Sequence, residues 1–422
     1  MSPVLVLFLI FAILCLLRVP IAVSLGLSSI VALSMIDFTL YTVIQKMYNA
    51  LYSSTLMAIP GFVFAGIIMA KGGISFYLIE ALKSWIGHVR GGLAVVTILA
   101  CMIFAAISGS SPATAAAIGS IMIPGMVNAG YSKRYSMGLV AAAGTLGILI
   151  PPSIPLIIYA SVAEESVGKL FLAGIIPGIM LGGILIISAI IHARINNFGR
   201  LPKESMRERK QKSWKAIWGF LLPIIILGGI YSGIVTPTEA SFLACFYGLI
   251  VSVFIYKEMS FKKFRAVLTE SINITAMIFL VIAAAMIFGM FLTTEQVPQA
   301  FSSFIQESSA NKWIFIIGVN LMFFVLGMFL ESVAIILITL PILLPVLVMF
   351  DINIIHFAII MTINMEIAMI TPPVGLNLFV VSGITREKVG EVVRGVLPFF
   401  GLMVLALILV IIFPEISLFL TK

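Results

Sequence analysis

Charge is what this 422-residue sequence has least of: 10% of its residues are charged, while 61% are hydrophobic. A soluble domain carries roughly 25% charged residues. The chain therefore lacks the polar surface that a soluble enzyme or a nucleic-acid-binding domain needs, and no long polar stretch remains to fold as one. Cysteine is nearly absent. Cys15, Cys101 and Cys245 all lie inside apolar segments, with neither metal-ligand spacing nor a disulfide pattern. Histidine is scarce too: His88, His192 and His356 fall near segment ends, far apart in sequence, so neither a metal cluster nor a buried general base is expected. No basic stretch precedes the first apolar run, since Arg18 follows it; residues 3–17 read as a retained first helix and not as a cleaved signal.

What the sequence has in quantity is long apolar runs. They fall at about 3–17, 19–36, 54–70, 91–130, 135–163, 168–193, 214–232, 238–256, 272–292, 313–350, 354–382 and 396–414. Runs of this length mark an all-α polytopic membrane protein. Ten of them suit a single crossing. The other two, 91–130 and 313–350, are about twice as long, and each is broken near its centre. The breaks read Ser108-Gly109-Ser110-Ser111-Pro112 and Phe329-Leu330-Glu331-Ser332. Such a segment either crosses twice or enters and returns as a hairpin.

The net charge of +8 reads best through the positive-inside rule. With the basic linker 194–215 inside and both long segments re-entrant, inside loops hold 21 of the 25 basic residues. The exceptions are Lys46, Lys169, Lys312 and Lys422. Outside loops then hold Asp37, Glu164, Glu165, Glu295, Glu307, Asp351 and Glu415, and both termini lie outside. Two full crossings per long segment would leave these sides unchanged, so charge does not by itself decide re-entrance. Trp85, Trp214, Trp218 and Trp313 fall near the expected interfaces.

The chain also repeats itself. Under a shift of 221 residues, 111–177 overlies 332–398 without a gap. Pro124 meets Pro345, Pro151-Pro152 meets Pro372-Pro373, and Pro177 meets Pro398; Ser111 meets Ser332 and Gly174 meets Gly395. Each half has five single crossings, an odd number, so the halves are expected in opposite orientations, the inverted-repeat plan of secondary transporters. The expected division is 1–196 (hairpin 91–130, broken helix 135–163), a basic cytoplasmic linker 197–213, and 214–422 (hairpin 313–350, broken helix 354–382).

The candidate site residues sit at the four breaks. At the first hairpin, Ser108, Gly109, Ser110, Ser111, Pro112 and Thr114 offer hydroxyls, freed carbonyls and a helix N-terminus suited to an anion. At the second, Glu331 and Ser332 put a carboxylate inside an apolar segment, where it is costly and usually faces a partner or a water path. The broken helices carry Gly144-Thr145-Leu146-Gly147 before Pro151-Pro152-Ser153, and Asn364-Met365-Glu366 before Thr371-Pro372-Pro373-Val374-Gly375-Leu376-Asn377. Proline removes a donor and opens the helix. Carbonyls so freed are tolerated in a bilayer only where protein, water or ions satisfy them. Expected cation ligands are Ser108, Gly109, Gly144, Thr145, Glu331, Ser332, Met365, Glu366 and Thr371. Expected substrate contacts are Ser108, Ser110, Ser111, Pro112, Thr114, Pro152, Ser332 and Asn377. Separately, Thr236-Pro237-Thr238-Glu239 reads as a capped helix start.

These motifs resemble the large membrane subunit of tripartite ATP-independent periplasmic (TRAP) transporters over essentially the full length. The telling stretches are Ile107-Ser108-Gly109-Ser110, Ile150-Pro151-Pro152-Ser153-Ile154-Pro155-Leu156, Leu172-Ala173-Gly174-Ile175-Ile176-Pro177-Gly178, Thr236-Pro237-Thr238-Glu239-Ala240 and Thr371-Pro372-Pro373-Val374-Gly375-Leu376-Asn377-Leu378. The resemblance implies an ion-transporter-superfamily fold in which a transport domain moves against a scaffold as an elevator. It implies sodium (Na+) as coupling ion and import of an organic acid (a dicarboxylate, sialic acid or sugar acid) across the bacterial inner membrane. It further implies a periplasmic binding protein that delivers the acid and a small four-helix membrane subunit, here on a separate chain. Membrane lipid is a partner, nucleic acid is not, and no enzymatic activity is expected. The competing expectations are a stand-alone sodium-coupled carboxylate carrier, an ion channel and a membrane-embedded enzyme.

Overall fold

The structure is a computed structural model that describes residues 2–36, 38–196 and 198–422. Asp37, counted above among the outer acids, lies outside the described residues, as do Met1 and Asn197, which open the first half and the linker. Among the described residues the fold is helical throughout, with no strand. The first half runs α1 (Pro3–Leu16), α2 (Ile21–Ser34), α3 (Leu40–Leu51), α4 (Ala58–Lys71), α5 (Ile74–Ile86), α6 (Gly92–Ser108), α7 (Ser111–Asn128), α8 (Lys133–Thr145), α9 (Ile154–Ala163) and α10 (Val167–Ile195). The second runs α11 (Met206–Tyr231), α12 (Pro237–Ile250), α13 (Phe261–Thr294), α14 (Val297–Glu307), α15 (Lys312–Gly327), α16 (Ser332–Met349), α17 (Ile354–Ala368), α18 (Leu376–Thr385), α19 (Val389–Ile412) and α20 (Glu415–Leu418).

The two long apolar segments form the expected helix pairs, α6–α7 and α15–α16. Residues 135–163 and 354–382 form the expected interrupted helices, α8–α9 and α17–α18. Helix boundaries recur at the 221-residue spacing: α7 and α16 begin and end 221 residues apart, and α8 and α17 begin so. Pro151-Pro152 and Pro372-Pro373, equivalent under the shift, are both joined by cis bonds. The start of α12 is capped as expected. Thr236 accepts from the Glu239 amide at 3.2 Å while the Glu239 carboxylate accepts from the Thr236 amide at 2.7 Å.

The structure departs from the sequence reading in three ways. Among the described residues, six helices are long and apolar enough to cross a bilayer singly, with α4 and α5 together a bent seventh candidate. The ten single crossings expected are fewer as unbroken helices, because several are short or interrupted. At about 1.5 Å per residue, the 14 residues of α1 or α2 fall short of a hydrocarbon core of about 30 Å. Next, α3, α5 and α14 are helices that lie outside the long apolar runs. Their apolar residues line one face only: in α14, Val297, Phe301 and Ile305 pack on the core at a spacing of four. Last, α11 begins before the apolar run 214–232, at Met206, with Ser205 and Glu208 forming a capping box.

Contacts between the halves fix how the interrupted helices lie. At the start of α8, Lys133 and Arg134 pair with Glu387 and Glu391, each at 2.7 Å, placing them beside the end of α18 and the start of α19. Near the end of α9, the Tyr159 hydroxyl donates to the carbonyl of Ile354, the first residue of α17, at 2.8 Å. A Cβ on Gly138 of α8 would overlap the Gly395 carbonyl of α19, so these two helices touch backbone to backbone.

Candidate functional site

The first hairpin tip is built on one left-handed glycine. α6 ends at Ser108, and Gly109 (φ +59°) reverses the chain; a Cβ there would lie 2.8 Å from the Pro152 carbonyl oxygen. The tip therefore sits directly on the first helix break. The Gly109 carbonyl accepts from the Ile154 amide at 3.2 Å. Ser108 Oγ lies 3.0 Å from Thr114 Oγ1, and Thr114 Oγ1 donates to the Ser110 carbonyl at 2.8 Å. On the break side, Thr145 ends α8 and a single 3₁₀ turn, Leu146–Ile148, follows. Ser153 then caps α9, donating to the Ile148 carbonyl at 2.5 Å. Gly147 allows the approach, because its Cβ would stand 2.5 Å from the Ser110 carbonyl oxygen.

The second tip and break meet in a similar way. Glu331 occupies the cap position of α16, but its side chain makes no capping bond. The Gly375 amide (φ +56°) donates to the Met328 carbonyl at 3.4 Å, and a Cβ on Gly327 would lie 2.5 Å from that of Ala368. Thr371 Oγ1 donates to the Ile367 carbonyl at 2.7 Å, and the Asn377 amide to the Met369 carbonyl at 3.1 Å.

Asn377 joins the halves at the site itself. Asn377, buried on α18, donates through Nδ2 to Ser111 Oγ at 2.8 Å and to the Ala141 carbonyl at 3.0 Å; Ser111 Oγ lies 3.1 Å from Asn377 Oδ1. Behind the second break three buried oxygens have no hydrogen-bond partner: both carboxylate oxygens of Glu366, a residue with 0% exposure, and Asn364 Oδ1. Asn364 Nδ2 is satisfied by the backbone and side-chain oxygens of Asn320, each at 2.9 Å.

The two tips share one cavity of about 70 Å³, lined by residues 108–113 and 331–333, by Ile148, Ile154, Pro155 and Met369 from the breaks, and by α4 and α13. Of the residues proposed from sequence, Ser108, Gly109, Ser110, Ser111, Pro112, Glu331 and Ser332 face it. Thr114 stands beside Ser108, 3.0 Å from its hydroxyl, and the Pro152 carbonyl lies against Gly109. Gly144, Thr145, Met365, Glu366, Thr371 and Asn377 do not line it. They are packed behind the tips, where Gly144 abuts Ala115 and Thr145 Oγ1 donates to the Ala142 carbonyl at 2.7 Å. Sequence reasoning missed the wall formed by α4 and α13. Gly66 on α4 was the available signal, since its Cβ would come within 2.9 Å of Ser108 Cα. It also missed Asn320, a lone amide in an apolar helix.

A helical fold that gathers two hairpin tips and two broken helices around one cavity defines the class, that of polytopic membrane transporters. The same fold occurs in the YdaH transporter of Alcanivorax borkumensis, with a TM-score of 0.64 and 12% identity over 96% of this chain and 98% of that one. Residues 8–416 match the family described as the tripartite ATP-independent periplasmic transporter, DctM component, and the chain belongs to that family. The C4-dicarboxylate TRAP transporter large permease protein DctM of Pseudomonas aeruginosa is 47% identical over 398 residues, which is 94% of this chain and 93% of that protein. The isethionate TRAP transporter permease protein DctMQ of Oleidesulfovibrio alaskensis is 39% identical over 99% of this chain and 66% of its own length. Both relatives carry the names of transport proteins.

Proposed function

We propose that this chain is the large permease of a sodium-coupled importer that moves a C4-dicarboxylate across the bacterial inner membrane, working with a small membrane subunit and a periplasmic binding protein. One observation carries the reading: the N-termini of α7 and α16 abut the same cavity. Each helix start carries a partial positive charge of roughly half a unit and leaves backbone amides free. A small molecule with a carboxylate at each end matches two such termini, and no basic side chain lines the cavity among the described residues. Relatives named for C4-dicarboxylate and isethionate are both named for small anions, and the higher identity favours the dicarboxylate.

Sodium enters as a co-substrate. Its ligands in this reading are hydroxyls and carbonyls of the tips and breaks, together with the unpartnered oxygens of Glu366 and Asn364. A hard cation suits such an oxygen-rich set. The ion pairs beside Lys133 and Arg134 and the Tyr159–Ile354 bond are what two oppositely directed halves would produce. In that inverted arrangement both termini lie on the periplasmic side, and the tips move as one body against a scaffold containing α4 and α13. The relative named DctMQ is longer than this chain.

The test is uptake of labelled dicarboxylate into proteoliposomes holding this chain and its small subunit, with and without sodium and the binding protein. Uptake that needs both supports the full reading. Uptake with sodium alone would place the chain among stand-alone carriers. Sodium-independent flux without saturation would make it a channel.

A further inference from the structure

A second cavity, of about 300 Å³, lies against the one between the hairpin tips. The same three helices line both, in chain order. α13 contributes 274–278 to the inner cavity and 282–293 to the outer; α9 contributes 154–155 and then 158–162; α16 contributes 332–333 and then 337–344. One helical turn of α13 separates the two, about 6 Å. α3 also lines the outer cavity, through Lys46 and Ala50.

Lys46 does not fit the rest of the charge pattern. It is one of four basic residues that fall outside the basic face expected from sequence. Of the others, Lys422 pairs with Glu415 at 2.8 Å, Lys312 donates to the Asp351 carbonyl at 3.4 Å, and Lys169, at the start of α10, lines neither cavity. Lys46 is an exposed residue at the rim of this cavity, and among the described residues its ammonium has neither a hydrogen-bond nor an ion-pair partner. It is also the one basic side chain among the described residues lining either cavity. Glu164, at the end of α9, lines the outer cavity too but does not pair with it.

We infer that the outer cavity is an entry site for the carboxylate substrate, where the Lys46 ammonium receives the anion before it passes along α13 to the helix N-termini of the inner cavity. An ammonium is a compact charge on a flexible stem and can follow an anion over several ångströms. A mixed field suits an entry site: Glu164 keeps the net attraction weak, so the anion is released inward and not retained. The inference rests on the transport reading above.

The experiment replaces the lysine and then restores its charge. Lys46→Cys is reconstituted with the small subunit and binding protein, and dicarboxylate uptake is measured before and after treatment with a thiol reagent that adds an aminoethyl group or one that adds a sulfonatoethyl group. The parent chain, with Cys101 and Cys245 buried and Cys15 half-buried, is treated in parallel as the control. Loss of the charge should raise the half-saturating substrate concentration about fivefold, the scale of one ion contact in a wet site. The aminoethyl adduct should restore it and the sulfonatoethyl adduct should raise it further. Equal effects of the two adducts, or an unchanged half-saturation in Lys46→Cys, would overturn the inference. So would a matching loss of binding-protein affinity for the reconstituted variant, which would make Lys46 a docking contact instead. A parent chain that shows no dicarboxylate uptake counts against the transport reading itself, and is thereby distinguished from failure at Lys46.

Discussion

Asn377 and Ser111 stand 266 residues apart and bond reciprocally, Nδ2 to Oγ at 2.8 Å and Oγ to Oδ1 at 3.1 Å. The amide belongs to the helix after the second break and the hydroxyl to the tip of the first hairpin. A third bond, from Asn377 to the Ala141 carbonyl at 3.0 Å, fixes the amide against α8 as well. The two halves are therefore locked together at the site and not only along their apolar faces. Asn377→Ala and Ser111→Ala should each lower thermal stability in detergent. A double-mutant cycle should return a coupling of about 0.5–1.5 kcal/mol, the range for buried hydrogen bonds in membrane and soluble proteins. Strict additivity would mean that the pair is not formed.

Ser108 and Thr371 carry hydroxyls at the first tip and the second break. Ser108 Oγ is held by Thr114, and Thr371 Oγ1 by the Ile367 carbonyl. Under the sodium reading, Ser108→Ala and Thr371→Ala should each raise the sodium concentration for half-maximal uptake about tenfold, which corresponds to about 1.4 kcal/mol of lost ligation. Sodium activation at parental values in both variants would remove these hydroxyls from the ion site.

Much of this arrangement was legible in the chain. Both hairpins and both breaks are marked by glycine, serine and proline inside apolar runs, and such interruptions are too costly in a bilayer to be incidental. The repeat made the pattern legible twice. What stayed hidden has physical reasons. α3, α5 and α14 carry one apolar stripe each and too little total hydropathy to register as runs. The continuous α13 corresponds under the 221 shift to α3 and α4, which are separated at Tyr52-Ser53-Ser54-Thr55. That difference between halves depends on local packing that the repeat does not carry. The cavity wall from α4 and α13 is assembled by tertiary contact, and no spacing in the sequence announces it.

Gly147 and Gly183 separate a packing glycine from an idle one. A Cβ at Gly147 would stand 2.5 Å from the Ser110 carbonyl oxygen and 2.8 Å from Thr114 Oγ1, whereas one at Gly183 meets nothing within 4 Å. Gly147→Val should push the first tip off its break and cost about 1–3 kcal/mol through overpacking, with uptake largely lost. Gly183→Ala, within α10, should be neutral or stabilising by up to about 1 kcal/mol through helix propensity. Equal tolerance of both changes, measured by thermal midpoint and uptake, would mean that tip and break are not in contact.

Glu366 is the sharpest test of the ion site. Its side chain is wholly buried and neither carboxylate oxygen has a protein partner. Burying an isolated ionised carboxylate is very costly, so the group needs either a proton or a cation at that position. The two alternatives are separated by sodium-dependent stability. A ligand that binds only the folded state stabilises it by mass action, so the parent chain should melt at a higher temperature in sodium than in choline. If Glu366 ligates sodium, Glu366→Gln keeps the shape, removes the charge, and should abolish most of that difference along with sodium-driven uptake. If Glu366 instead holds a proton, the glutamine variant should keep the full sodium-induced shift, and the sodium ligands would have to be sought elsewhere. Glu366→Leu serves as the control for folding. Removing an unpartnered buried polar group should leave its melting temperature in choline no lower than the parent's, so that a loss of the sodium response in either variant reads as lost ligation and not as a damaged fold.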